Sequence, residues 1–167
     1  MKHAHGQITK LAAVLVATAF DGLAEERPQT PFAIVISIPD RKLALLVDGR
    51  VLKVYDVAVG KNSTPTPQGK YVVINRVPNP TWYGPQGPVA PGKSNPIGTR
   101  WMGLSVAGYG IHGTNAPSSI GHAASHGCIR MRQQDLEELF DLVEIGTPVE
   151  IQNVEMPGMD ELLAKVF

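Results

Sequence analysis

The chain has 167 residues, 43% hydrophobic and 18% charged, with 15 basic and 15 acidic side chains and a pI near 7.0. That length suits one domain of ordinary size, and the balanced charge removes the strongest argument for binding nucleic acid or an anionic membrane. One cysteine excludes an intrachain disulfide framework and all-cysteine zinc sites, while 17 glycines and 14 prolines point to many turns and few long helices.

Residues 1–24 read as a signal peptide. Lys2 and Lys10 precede the ten-residue apolar core Leu11–Phe20, and Gly22-Leu23-Ala24 supplies small residues for cleavage. No apolar run reaches the ~18 to 20 residues that span a bilayer, so no membrane span is expected in the mature chain. Cleavage after Ala24 leaves 143 residues with a net charge of −1. Export would carry a lone thiol into an oxidising compartment, where an idle cysteine is a liability.

Phe32–Ile38, Lys42–Val47 and Val51–Val59 alternate or run β-branched and predict strands, with Asp48-Gly49 as a hairpin turn. Lys61–Gln68 is a turn-rich loop and Gly69–Arg76 a further strand. Val77–Arg100 carries six prolines and four glycines in 24 residues and reads as one long irregular loop, of the length that tends to be functional. Its Trp82 and Tyr83 are candidates either to cover a cleft and stack on substrate or to pin the loop to the sheet. Strand character returns at Trp101–Val106 and Gly110–His112. Gln133–Val143 predicts the main helix, with Leu136, Leu139, Phe140 and Val143 on one face. Pro148–Ile151 closes the set, and Asp160–Val166 could form a short helix within a tail at 153–167. The expectation is one mainly β domain at 32–152, a sandwich or partly closed barrel, with a helix after the cysteine.

After the first 24 residues, histidine occurs only at His112, His122 and His126, and all three lie within 17 residues ending at Cys128. Thiol and imidazole are the pair that nucleophilic attack on a carbonyl needs. A free thiol is only a few per cent ionised at neutral pH, and a nearby histidine can take its proton and return it to a leaving amine. Gly127 allows a close turn that would aim its own amide and that of Cys128 at a developing oxyanion. Spacing leaves both His126 and His112 open as the base. Zinc held by His112, His122, His126 and Cys128 is a weaker reading, because Gly121 and Ala123–Ser125 offer no helix to align the histidines. Gly108-x-Gly110-x-x-Gly113 spells a dinucleotide fingerprint, but Pro117 follows where that motif must open a helix.

His-Gly-Thr at His112–Thr114 followed by Ser-His-Gly-Cys-Ile-Arg at Ser125–Arg130 resembles the signature of the L,D-transpeptidase (YkuD-type) catalytic domain. Gly60, Thr64–Tyr71, Asn79–Trp82, Asn95–Gly98 and Tyr109–His112 resemble it too, so the likeness covers roughly Phe32 to Gln152. The resemblance implies a β-sandwich-type domain with Cys128 as nucleophile and His112 as base, oriented by the carbonyl of Gly113. It further implies an oxyanion hole of backbone amides around His126, Gly127 and Cys128. Arg130 and Ser125 would be substrate-binding residues at the site, Arg130 meeting a substrate carboxylate. It implies no metal and no cofactor. The substrates would be peptidoglycan stem tetrapeptides in a periplasm or cell wall. D-Ala would leave from a thioester acyl-enzyme, and an amine acceptor would complete a 3–3 cross-link or lipoprotein attachment. An L,D-carboxypeptidase, with water as acceptor, and a non-catalytic peptidoglycan-binding module are the rival readings. A binding module has no need of a nucleophile.

Overall fold

The computed structural model of the chain describes residues 31–156. The signal peptide expected at 1–24 and the short helix expected at Asp160–Val166 lie outside the described residues. In chain order the elements are β1 (Phe32–Ser37), β2 (Lys42–Val47), β3 (Arg50–Gly60), β4 (Gly69–Pro78), β5 (Trp82–Gly84), β6 (Gly87–Val89), β7 (Arg100–Leu104) and β8 (Gly110–His112). A turn of 3-10 helix at Pro117–Ser119 precedes β9 (Ala123–Ser125), β10 (Ile129–Met131), α1 (Gln133–Leu142) and β11 (Pro148–Gln152).

Nine strands form one sheet in the order β10-β8-β7-β4-β11-β1-β2-β3-β9, and β10 also pairs with β3, so the sheet closes on itself. The two longest strands turn the corners. β3 pairs with β2 along its first half and with β10 at Val57 and Ala58. β4 pairs with β11 from Gly69 to Val72 and with β7 from Val73 onward. Bulges at Leu45/Leu46 and at Val73/Asn75 supply the local bend and twist that such corners need. The domain is therefore mainly β and lies between a sandwich and a barrel, as expected.

The alternation read from the sequence sets the interior. Ile34, Ile36, Leu43, Leu45, Val57, Val59, Met102, Ile111, Ile129, Met131 and Val149 are each at most 1% exposed, and period-two side chains from facing strands fill the space. α1 closes the core with Leu136, Leu139 and Phe140, the face predicted by helical spacing. No helix among the described residues is long and apolar enough to cross a membrane. One departure in architecture is inside 77–100, where a small separate hairpin, β5 with β6, interrupts the irregular loop, and the short strands β9 and β10 are another. Gly84 and Gly87 close the β5–β6 hairpin as register partners. Proline at 85 and 88 hides the strand character from a propensity reading.

Candidate active site

β8 and β10 run in parallel with Ile111 opposite Ile129 and His112 opposite Arg130. Strand alternation sends the two isoleucines into the core and brings His112 and Arg130 out together on the other face. Cys128, two residues before Arg130, shares that face and stands level with Gly110. His112, Cys128 and Arg130 all line one cavity of about 1010 Å³, together with Trp82, Trp101 and His126.

The Ser125–Cys128 turn is held from within by Ser125, which is 1% exposed. Its Oγ accepts the N–H of Gly127 at 3.0 Å and donates to the carbonyl of Cys128 at 2.6 Å. Gly127 has φ +112, and a Cβ there would lie 2.5 Å from the Tyr109 ring, so no other residue fits without displacement. The 61–68 loop braces the turn from outside. Thr66 Oγ1 donates to the Gly127 carbonyl at 2.9 Å and accepts the Gly60 N–H at 2.8 Å, and Thr64 Oγ1 donates to the Ser125 carbonyl at 3.2 Å. The half-buried thiol of Cys128 faces the carbonyl of Gly108 at 3.7 Å.

His112 is 5% exposed, and its Nδ1 lies 2.6 Å from the Gly113 carbonyl. A carbonyl only accepts, so Nδ1 carries the proton and Nε2 keeps its lone pair. Gly113 is anchored in turn by its own N–H on the Ile97 carbonyl at 2.9 Å. The Trp101 indole stacks on the imidazole with centroids 5.6 Å apart and planes 18° from parallel. Burial pushes His112 down to about 4; the Gly113 bond opposes this, and the positive charge of Arg130 adds to it. Burial also pushes the Cys128 thiol up, against smaller downward pulls from the Gly110 backbone and Arg130. Both groups therefore rest uncharged at neutral pH.

Among the other expected site residues, His126 is exposed on the cavity wall, Trp82 is half-buried there, and Tyr83 is 81% exposed. Arg130 lines the cavity, and its buried Nε has no hydrogen-bond partner. His122 is exposed and does not line the cavity. Among the described residues no group of three or more His, Cys, Asp or Glu is placed to hold a metal ion. The bracing threonines entered the sequence reading only within a matched stretch. Asn95, 1% exposed, shapes the long loop by holding the Pro80 carbonyl at 2.8 Å and the Ile97 N–H at 3.0 Å. A polar residue between Pro and Ser in a loop gives no sign of burial, so its role depends on tertiary contacts.

The family model for the L,D-transpeptidase catalytic domain matches residues 31–151, which include this whole site. The chain belongs to the L,D-transpeptidase family. The family protein YkuD of Bacillus licheniformis is 46% identical over 121 residues, covering 72% of this chain and 66% of that relative, so the chain spans just under two thirds of its length. YqjB of Bacillus subtilis is 36% identical over 127 residues, covering 73% of this chain and 71% of that one. Among solved structures, the catalytic domain of the Enterococcus faecium L,D-transpeptidase is 30% identical with a TM-score of 0.60, covering 75% of this chain and all of that domain. An L,D-transpeptidase from Mycobacterium smegmatis shares the fold at 22% identity, with a TM-score of 0.63 over 73% of this chain and 58% of that one.

Proposed function

We propose that this member of the family is an exported cysteine L,D-transpeptidase acting on peptidoglycan stem tetrapeptides. The observation that carries the reading is the Nδ1–H bond of His112 to Gly113, which leaves a basic Nε2 in the cavity that also holds Cys128. Here a backbone carbonyl does what a carboxylate or amide side chain does in other nucleophile–histidine sites, fixing tautomer and ring orientation.

Because thiol and imidazole both rest neutral, the proton passes from Cys128 to His112 as sulfur attacks the carbonyl at the L-centre of the third stem residue. The oxyanion is met by the amides of His126 and Cys128. The amide of Gly127, expected in the same hole, is instead engaged by Ser125, and that residue serves the turn through its positive φ. The imidazolium then returns its proton to the departing amine of D-Ala, leaving a thioester on Cys128. An amine acceptor, deprotonated by the same Nε2, opens the thioester and completes the cross-link or lipoprotein attachment. The unpaired Nε and outer nitrogens of Arg130 suit a substrate carboxylate, and Trp82 and Tyr83 offer aromatic faces along the cavity. A peptidoglycan substrate places the working enzyme in a periplasm or cell wall, consistent with the signal peptide read at 1–24.

The test is incubation of the protein with a purified tetrapeptide muropeptide, with Cys128→Ala alongside and products followed by mass spectrometry. Release of one D-Ala with a dimer of two stems, absent in the variant, is the expected result. Tripeptide without dimer would move the assignment to carboxypeptidase, and no turnover by a folded protein would favour a binding module.

A further inference from the structure

We propose that Asn75 and Trp101 are positioning residues for the His112 imidazole: Asn75 fixes the indole, and the indole fixes and shields one face of the ring. The inference rests on the transpeptidase reading above and concerns the same site.

The device is built from register. The bulge in β4 between Val73 and Asn75 turns Ile74 outward to 50% exposure and sets Asn75 level with Gly103 of β7. Asn75 Oδ1 then accepts two N–H groups, the indole Nε1 of Trp101 at 3.1 Å and the backbone of Gly103 at 3.2 Å. On the far side of β7, Trp101 pairs with His112 and Gly103 with Gly110. Both glycines are vacated for this arrangement. A Cβ on Gly103 would lie 2.6 Å from Asn75 Oδ1, and one on Gly110 would lie 2.7 Å from the indole. The Asn75 side chain thus occupies the first slot, the indole crosses the second, and the ring ends stacked on His112.

Core packing does not account for the tryptophan. Met102 and Leu104 of the same strand are the buried core residues, and strand alternation puts Trp101 on the cavity face. With Nδ1 tied to Gly113, rotation about that bond is the freedom left to the ring, and a flat indole against its face removes it. The same contact keeps water off the imidazole, which disfavours its charged form. Of the other titratable or charged groups, Arg130 stands opposite His112 in the β8–β10 register, and Cys128 and His126 line the same cavity. Arg100, next to Trp101 on β7, turns instead to the Thr99 carbonyl and the Phe140 ring, and Ile97 accepts the Gly113 N–H through its backbone carbonyl.

The experiment is an NMR titration of the His112 Cε1–H in the full chain, for wild type, Trp101→Leu, Trp101→Phe, Asn75→Leu and the Asn75→Leu/Trp101→Phe pair. Trp101→Leu should raise the titration midpoint by about one pH unit or more toward the free value near 6.5. Asn75→Leu, which does not itself line the cavity and acts on His112 only through the indole, should raise it by less. In the Trp101→Phe background, Asn75→Leu should add nothing, because phenylalanine has no N–H to hold. The acid limb of kcat/KM should shift in the same order. Unmoved midpoints in Trp101→Leu and Asn75→Leu would overturn the proposal, and so would an Asn75→Leu shift of full size in the Trp101→Phe background. If Trp101→Leu does not fold, that last comparison decides alone. Titration needs no turnover, so a protein inactive on muropeptides would sink the transpeptidase reading while leaving this result legible.

Discussion

Cys128 and His112 share a cavity wall as uncharged partners, and burial is the reason for both states. The consequence for His112 reaches beyond catalysis. Its folded value of about 4 lies below the free value near 6.5, so between those limits the unfolded chain binds a proton that the folded one refuses. The stability this confers is fully present above about pH 6.5 and is lost as the pH falls toward 4. On lowering the pH from 7 to 4.5, wild type should lose about 2 to 3 kcal/mol more than His112→Gln, read from urea unfolding at each pH. Equal losses would mean that the imidazole is open to water. Under the proposed mechanism the same depression keeps Nε2 unprotonated, and so available to accept the thiol proton, through the mildly acidic range. The acid limb of kcat/KM should therefore fall well below pH 6.5, with both limbs belonging to the coupled pair.

At the scale of elements, the long loop is where structure adds most. Asn95 is buried with its amide on the Pro80 carbonyl and its Oδ1 on the Ile97 N–H, so one side chain ties the β5–β6 hairpin to the segment that anchors Gly113. Asn95→Ala should cost about 1 to 3 kcal/mol in urea unfolding. Hydrogen exchange should rise across 78–98 while β1 to β3 stay protected. Protection unchanged in the loop would show that the hairpin is held by other contacts. The strands β1 to β4 and α1 were legible because their apolar spacing is local and regular. β9 and β10 were not, since Ala123–Ser125 and Ile129–Met131 are three residues each and become strands only by pairing with β3 and β8, remote in sequence. The cysteine–histidine pair stood out by composition alone, while the choice of His112 over His126 came from resemblance. The strands carrying Asn75 and Trp101 were legible, but their meeting was not, because it depends on a bulge and on the β4–β7–β8 register, which no local pattern encodes.

Across the whole molecule, closure is the dominant feature. β3 and β4 each serve both halves of the sheet, β10 seals it against β3, and β1 pairs in parallel with β11 from the far end of the described chain. No half can separate without breaking a strand common to both, so unfolding should be one cooperative transition. Far-UV circular dichroism and tryptophan fluorescence should give coincident urea curves. Separate midpoints would contradict a single closed unit. The central claim is that this closed scaffold presents Cys128 as a nucleophile toward a stem-peptide carbonyl. Intact-protein mass spectrometry after brief exposure to a tetrapeptide donor tests it most directly. A mass increase equal to the donor less D-Ala, located on Cys128, reversed by hydroxylamine and absent in Cys128→Ala, is the result this account predicts. A folded protein that releases D-Ala yet never carries the adduct, or carries it equally in Cys128→Ala, would contradict it.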